Sequence, residues 1–314
     1  MINEKAKQKI RGPFVPIITF FRDDLSIDMH ATQAHAQYLI DHGFGEGRGC
    51  VLAAGSGGDF PMLSIDERKD VATAVAEVCR GKLPFMVGAQ DTNVRNSIAM
   101  ARHAETLGAE AVQLAPTYFY PASADDAWSI FHEVHEATES MNIAVYNSSS
   151  HNHNLTIDVV NRITELERIV AVKWSGGGNL RRYLDGILAF RERLVIIDNQ
   201  GLEIQCRMMG GNGFVTHLAT IWPEQDLVVW DHLEAHRYAE AQAAVERANW
   251  PFVAFRSKMF QRTGGESNVL KAALELCGRQ GGPSRPPMRS LTEEERMELH
   301  RVMTDIGVPD VRQS

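Results

Sequence analysis

Four cysteines are spread over 314 residues, at Cys50, Cys79, Cys206 and Cys277, and no two of them stand in a C-x-x-C spacing. That speaks against a zinc knuckle and against a disulfide framework, and it fits a reducing cytoplasm. Long apolar runs are missing too: none reaches the roughly 18 residues of a membrane span. The N-terminal residues 1–11 carry charges throughout and lack the apolar stretch of a secretory signal. Basic charge is in short supply, with 32 Lys and Arg against 40 Asp and Glu and a formal net charge of −8. A surface that tracks nucleic-acid phosphates is therefore not expected. Low-complexity segments are absent. With 44% hydrophobic and 23% charged residues, what remains is a soluble, cytoplasmic, globular chain large enough for one big core or two modest ones.

Short apolar, β-branched runs alternate with longer amphipathic stretches, the pattern of repeated β-α units on a parallel sheet. Eight runs can be counted, at 14–19, 50–54, 83–88, 111–115, 143–146, 169–173, 194–198 and 213–217. Between them, Ser64 and Glu67 have the spacing of a capping box, and Thr156 is placed to N-cap the helix after the fifth run. Segments 97–107 and 126–138 carry apolar positions at helical spacing. The reading is an α/β chain with a (β/α)8 TIM barrel over residues 1–225. A C-terminal helical extension follows over 226–314, with helices near 226–255, 268–276 and 292–306. The acidic triplet Glu293, Glu294 and Glu295 follows Thr292 and reads as helix N-terminal chemistry rather than a metal site.

Catalysis in such a barrel belongs at the C-terminal ends of the strands. Lys173 ends the sixth run, after Ile169, Val170, Ala171 and Val172. A lysine at the rim of a core pays for desolvation as an ammonium, and this is how an imine-forming nucleophile is made. Alone it would read as a strand cap pointing into water. The second run, however, leads into Gly55-Ser56-Gly57-Gly58-Asp59, whose small residues let backbone N–H groups approach a carboxylate while Ser56 relays a proton. The fourth leads to Tyr118 and Tyr120, and the fifth ends at Tyr146 and Asn147. A tyrosine passes protons while adding little charge to a dry site, which suits chemistry on a 2-oxo acid. His151 and His153 form an H-x-H spacing without an evident third ligand, so a contact with the variable end of a substrate is expected there and no metal. His132 and His135 read as exposed helix surface.

Taken with the opening segment 12–20, the segments 210–216 and 271–276, and Gly282 to Pro287, these motifs resemble the dihydrodipicolinate synthase / N-acetylneuraminate lyase family of class I, Schiff-base-forming lyases, over nearly the whole chain. The resemblance implies that Lys173 condenses with the ketone of pyruvate or another 2-oxo acid. It implies that Tyr146 moves protons, with Ser56 and Tyr118 completing the relay, and that Gly55, Gly57, Asn147, His151 and Val215 contact the substrate. No cofactor is implied. A homo-oligomer, dimer or tetramer, is implied, in which Tyr118 or Tyr120 crosses into a neighbour's site.

The chain departs from the family's pattern in two places. Members that make dihydrodipicolinate carry G-T-T-G-E in the turn and an arginine shortly after the Y-N pair. Here the turn has Ser56 and Gly57, and residues 148–152 contain no arginine. Planar, bidentate carboxylate recognition is lost with it. The Ala53-Ala54-Gly55 and Asp59-Phe60 neighbourhood is closer to the branch that dehydrates deoxy-oxo sugar acids. The run from Trp174 to Gly178 is expected to open room beside the lysine for a larger group, as in hydratase-aldolases with aromatic substrates. The expectation is thus a lyase, either a pyruvate-dependent aldolase or a sugar-acid dehydratase. Alternatives are 4-hydroxy-tetrahydrodipicolinate synthase, an idle 2-oxo-acid binder, or an unrelated phosphate-binding barrel. The last is disfavoured because Gly210 to Gly213 precede the eighth run rather than follow it.

Overall fold

The computed structural model describes residues 2–117, 119–148 and 154–312. Helix α1 (Ile2–Lys9) leads into β1 (Gly12–Pro16). Elements then alternate as α2 (Met29–Asp41), β2 (Cys50–Ala53), α3 (Ile65–Cys79), β3 (Phe85–Gly88), α4 (Val94–Leu107), β4 (Ala111–Leu114) and α5 (Ala124–Glu136). The second half runs β5 (Ile143–Tyr146), α6 (Ile157–Ile163), β6 (Ile169–Trp174), α7 (Leu180–Phe190), β7 (Val195–Asp198), α8 (Glu203–Met208) and β8 (Gly213–Val215). Beyond it lie α9 (Pro223–Glu234), α10 (Tyr238–Ala244), α11 (Trp250–Thr263), α12 (Ser267–Leu276) and α13 (Glu293–Ile306). Among the described residues the strands close in sequence order into a parallel barrel, with β8 returning to β1 through Gly12 on Gly213 and Phe14 on Val215. The expected TIM barrel with C-terminal helices is present.

The local signals act as their chemistry demands. Ser64 and Glu67 exchange backbone-to-side-chain bonds of 2.8 and 3.2 Å, Thr156 accepts from the Val159 N–H, and Thr292 with Glu295 forms a second box at the start of α13. Each satisfies orphan donors of a first helical turn. One expectation is corrected. The stretch 226–255 is not one helix: α9 stops at Glu234, His236 adopts a φ of 57°, and α10 runs through a π-turn at Val245–Asn249 into α11. Apolar periodicity carried across that break because both sides bury a face.

Packing groups the chain into two compact units, Met1–Phe14 with Gly45–Ala53 and Cys79–Val215, and Val15–Phe44 with Ala54–Val78 and Thr216–Ser314. In the first unit, Phe14, Cys50, Leu52, Met86, Ala111, Ala144, Ala171, Val195 and Ile197 form one buried cluster, with Ile10 behind α1 joining it. Residues two apart on a strand share a face, so these positions mark the inward face of the barrel. In the second unit, Phe252, Phe255 and Met259 of α11 pack with Leu270, Ala273 and Leu274 of α12 and with Leu299, Met303 and Ile306 of α13. Burying each large side chain of this kind contributes about 1.5–3 kcal/mol before entropy.

Candidate functional site

Lys173 lies on β6 and is 6% exposed; Tyr146, the last residue of β5, is 4% exposed. Between β5 and β6 the register shifts: Ile143 pairs with Ile169, but Ala144 pairs with Ala171, Val145 with Val172 and Tyr146 with Lys173. The additional residue is Val170. Partners in a parallel ladder point to the same face, so this one-residue irregularity sets the amine and the phenol side by side. Lys173 shares the inward face with Ala171, and its Nζ lies 4.5 Å from the Tyr146 ring centroid and 5.8 Å from that of Phe14. Two aromatic faces therefore line the amine. Phe14 was not singled out in the sequence, where it looked like any apolar residue of β1.

Asn147 follows Tyr146 and is fully buried. Its Nδ2 donates to Ser175 O at 2.8 Å, its Oδ1 accepts from the Leu155 N–H at 2.7 Å, and its own N–H donates to Lys173 O at 2.9 Å. Both ends of the amide are thus engaged by backbone, which ties the ends of β5 and β6 together. Trp174, next to Lys173, turns outward: it is fully buried, its Nε1 donates to Tyr183 O, and its ring meets Phe190 edge-on. The expected room beside the lysine is not found at Gly176. A Cβ there would stand 2.5 Å from Asn179 O and 2.7 Å from Tyr183 N, so this glycine is required by close packing of the chain on the start of α7. Val215 pairs with Phe14 and is only partly buried, against the inward cluster.

After β2 the chain makes a 3-10 turn at Ser56–Gly58, opened by Gly55 and closed by Asp59 in the left-handed region at φ 62°. The Gly58 and Asp59 N–H groups bond back to Gly55 O and Ser56 O at 2.9 and 3.2 Å. Gly58 is obligatory, since a Cβ would stand 2.5 Å from Ile17 O, and its carbonyl accepts from Thr19 Oγ1 at 2.7 Å. Asp59 is buried and receives Ser267 Oγ at 2.6 Å and Lys271 Nζ at 3.1 Å. Burial raises the Asp59 pKa, opposed mainly by Lys271, and burial lowers that of Lys271, opposed by Asp59. In the sequence Lys271 stands out only as part of a family motif; its partner lies 212 positions away, and no local pattern reveals that.

Tyr118 and His151 fall outside the described residues, as does His153. His135 is largely buried and bonds Glu136 at 2.9 Å, while His132 stacks on Trp128 at 4.5 Å, so neither is the bare helix surface expected. Among the described residues no three His, Cys, Asp or Glu side chains gather as a metal site requires. Asp198, at the end of β7, is consumed structurally: it accepts from Tyr183 Oη at 2.5 Å and from the N–H groups of Gln200, Gly201 and Leu202. A cleft lined by Lys9, Glu46, Arg80, Lys82 and Glu110 lies at the N-terminal ends of β3 and β4. That is the end of those strands away from catalysis in this fold. No helix of the described residues is long and apolar enough to cross a membrane.

A model described as the Dihydrodipicolinate synthetase family matches residues 9–306. The 4-hydroxy-tetrahydrodipicolinate synthase of Archaeoglobus fulgidus is 28% identical over 301 residues, covering 94% of this chain and 98% of that one. Among solved structures, YagE of Escherichia coli K12, a family member crystallised in complex with pyruvate, superposes with a TM-score of 0.83 at 21% identity, over 95% of this chain and 99% of that one. A catalytic lysine mutant of the sialic acid aldolase of Ruminococcus gnavus does so with a TM-score of 0.83 at 20% identity, over 95% and 96%.

Proposed function

The chain belongs to the dihydrodipicolinate synthetase family and is a lyase of that family, and we propose that it acts on a 2-oxo acid through an imine at Lys173. The observation that carries this reading is the buried lysine in register with a buried tyrosine, Nζ 4.5 Å from its ring. Burial penalises an ammonium, and the neutral amine is the nucleophile that imine formation needs. The amine adds to the ketone carbon to give a carbinolamine, which loses water to become an iminium. Tyr146 carries the protons of these steps, with Ser56 and Tyr118 in the same relay and the backbone of Gly55, Ser56 and Gly57 receiving the carboxylate. Val215 borders the substrate, His151 meets its variable end, and Asn147 holds the strand ends that present Lys173 and Tyr146.

The iminium then acts as an electron sink. With a hydroxyl on C4, proton loss from that hydroxyl breaks the C3–C4 bond and leaves an aldehyde and the enamine of the shorter acid. Proton loss from C3 instead expels the C4 hydroxyl as water. Pyruvate bound to YagE and the catalytic lysine of the sialic acid aldolase support the same reading. The reading includes a cytoplasmic homo-oligomer, supported by unpaired cysteines and by the exposed Phe119 and Tyr120. Borohydride reduction with pyruvate is expected to add mass at Lys173. Absence of an adduct with every 2-oxo acid tried, or its persistence in Lys173→Ala, overturns the reading. Assaying 4-hydroxy-2-oxo acids for pyruvate release against water loss then separates aldolase from dehydratase.

A further inference from the structure

Within the second compact unit, the first turns of α12 meet the turn that follows β2 at three points. Glu266, at the N-cap position of α12, brings Oε2 to 3.5 Å from where a Cβ on Gly57 would lie. Ser267 and Lys271 stand four residues apart, hence on one helix face, and both bind the Asp59 carboxylate, at 2.6 and 3.1 Å. Lys271 is held in turn by Pro283 O at 3.2 Å and by the Phe21 ring, 4.4 Å from Nζ. Lys271 and Asp59 are each 2% exposed. Asp59 itself occupies the left-handed region and donates its N–H to Ser56 O, so its side chain and its backbone pull on the same turn.

We propose that Ser267 and Lys271 are positioning residues for carboxylate binding by the backbone of Gly55, Ser56 and Gly57. This rests on the assignment of that turn as the carboxylate holder. Two effects combine. The clamp fixes the direction of the turn's N–H groups, and small displacements of a binding group are costly. Lys271 also neutralises Asp59, as Arg256 at 4.0 Å counters the Glu266 carboxylate; a bare carboxylate beside a site meant for an anion would repel it, and more strongly away from water. Mere structural support would require only that the turn be packed. The proposal requires in addition that the sign of charge at residues 59 and 271 governs affinity for an anionic substrate.

The test uses the full chain with pyruvate as probe and reads borohydride-trapped adduct at Lys173 against pyruvate concentration. Lys271→Met is expected to raise the half-saturating concentration about tenfold or more, and Ser267→Ala, which keeps the ion pair, by a smaller factor. Adding Asp59→Asn to Lys271→Met removes the unpaired charge and is expected to recover at least a third of the loss on a logarithmic scale. A half-saturating concentration within twofold of the parent in Ser267→Ala and in Lys271→Met overturns the proposal, as does a double variant no better than the single one. If Lys271→Met does not fold, Ser267→Ala decides alone. Absence of any adduct in the parent chain overturns the imine reading and this proposal with it. An adduct whose half-saturation ignores these variants overturns only the proposal.

Discussion

Tyr146 and Lys173 face each other because β6 carries one residue more than β5 between their first and second pairs. Had the register of Ile143 on Ile169 continued, Tyr146 would oppose Val172 and Lys173 would oppose Asn147. A slip of one residue exchanges the two faces of a strand. The amine would then lie on the side now taken by Trp174, packed on Phe190 of α7. The irregularity is thus the feature that turns a strand-end lysine into a candidate nucleophile.

If Tyr146 carries protons, Tyr146→Phe keeps the ring beside Lys173 and removes only the hydroxyl. Turnover is expected to fall about 10²- to 10⁴-fold. Stability should change by no more than about 1.5 kcal/mol. Steady-state rates and urea unfolding on one preparation check both. A rate loss below tenfold would assign the protons elsewhere.

His35 gives the second unit a pH-dependent stability. It is 3% exposed, its Nδ1 accepts from the Arg279 guanidinium at 3.2 Å, and burial, reinforced by that cation, pushes its pKa from 6.5 down to about 3. The unfolded chain takes up this proton below pH 6.5 and the folded chain does not until about pH 3. Stability from this group is therefore complete above pH 6.5 and is lost progressively down to about pH 3, by a total on the order of 5 kcal/mol. Urea midpoints measured across that window are expected to fall less steeply with acid in His35→Leu. Parallel acid limbs for the two proteins would contradict the assignment.

Gly186 of α7 lies against the indole of Trp174: a Cβ would stand 2.4 Å from Cε2 and 2.5 Å from Nε1. Gly186→Ala must push the indole or the helix away, and overpacking of this kind costs about 1–3 kcal/mol. Because Trp174 adjoins Lys173, the strain should also reach the amine. The expected result is a lower melting temperature, altered tryptophan emission and slower imine trapping. Unchanged melting would mean that α7 shifts freely, contrary to the buried Trp174 Nε1 to Tyr183 O bond.

The strands and caps were legible because they are local. Alternating β-branched runs, the Ser64 and Thr292 boxes and a lysine ending the sixth run each fit within a window of a few residues. The break in the helix over 226–255 was not legible, since apolar spacing resumes after His236 as if uninterrupted. Nor was the use of Asn147: an amide beside a tyrosine looks like a ligand contact until its two ends are seen bonded to Ser175 O and the Leu155 N–H. Trp174 and Gly176 looked like open space, because a glycine marks either room or the closest packing, and only its neighbours tell which.

By itself, the sequence determined a parallel α/β barrel, the strand ends that carry polar groups, and Lys173 as the residue with the chemistry to matter. The tertiary structure decided which of those groups meet. It set Tyr146 on Lys173 through a one-residue register shift, placed Phe14 near the amine, and joined Asp59 to Lys271 across more than two hundred residues. Periodicity and capping are satisfied within a single element, so they leave a mark along the chain. Register and long-range ion pairing are fixed only when separate elements pack, where side-chain burial selects one alignment among several that the local sequence equally permits.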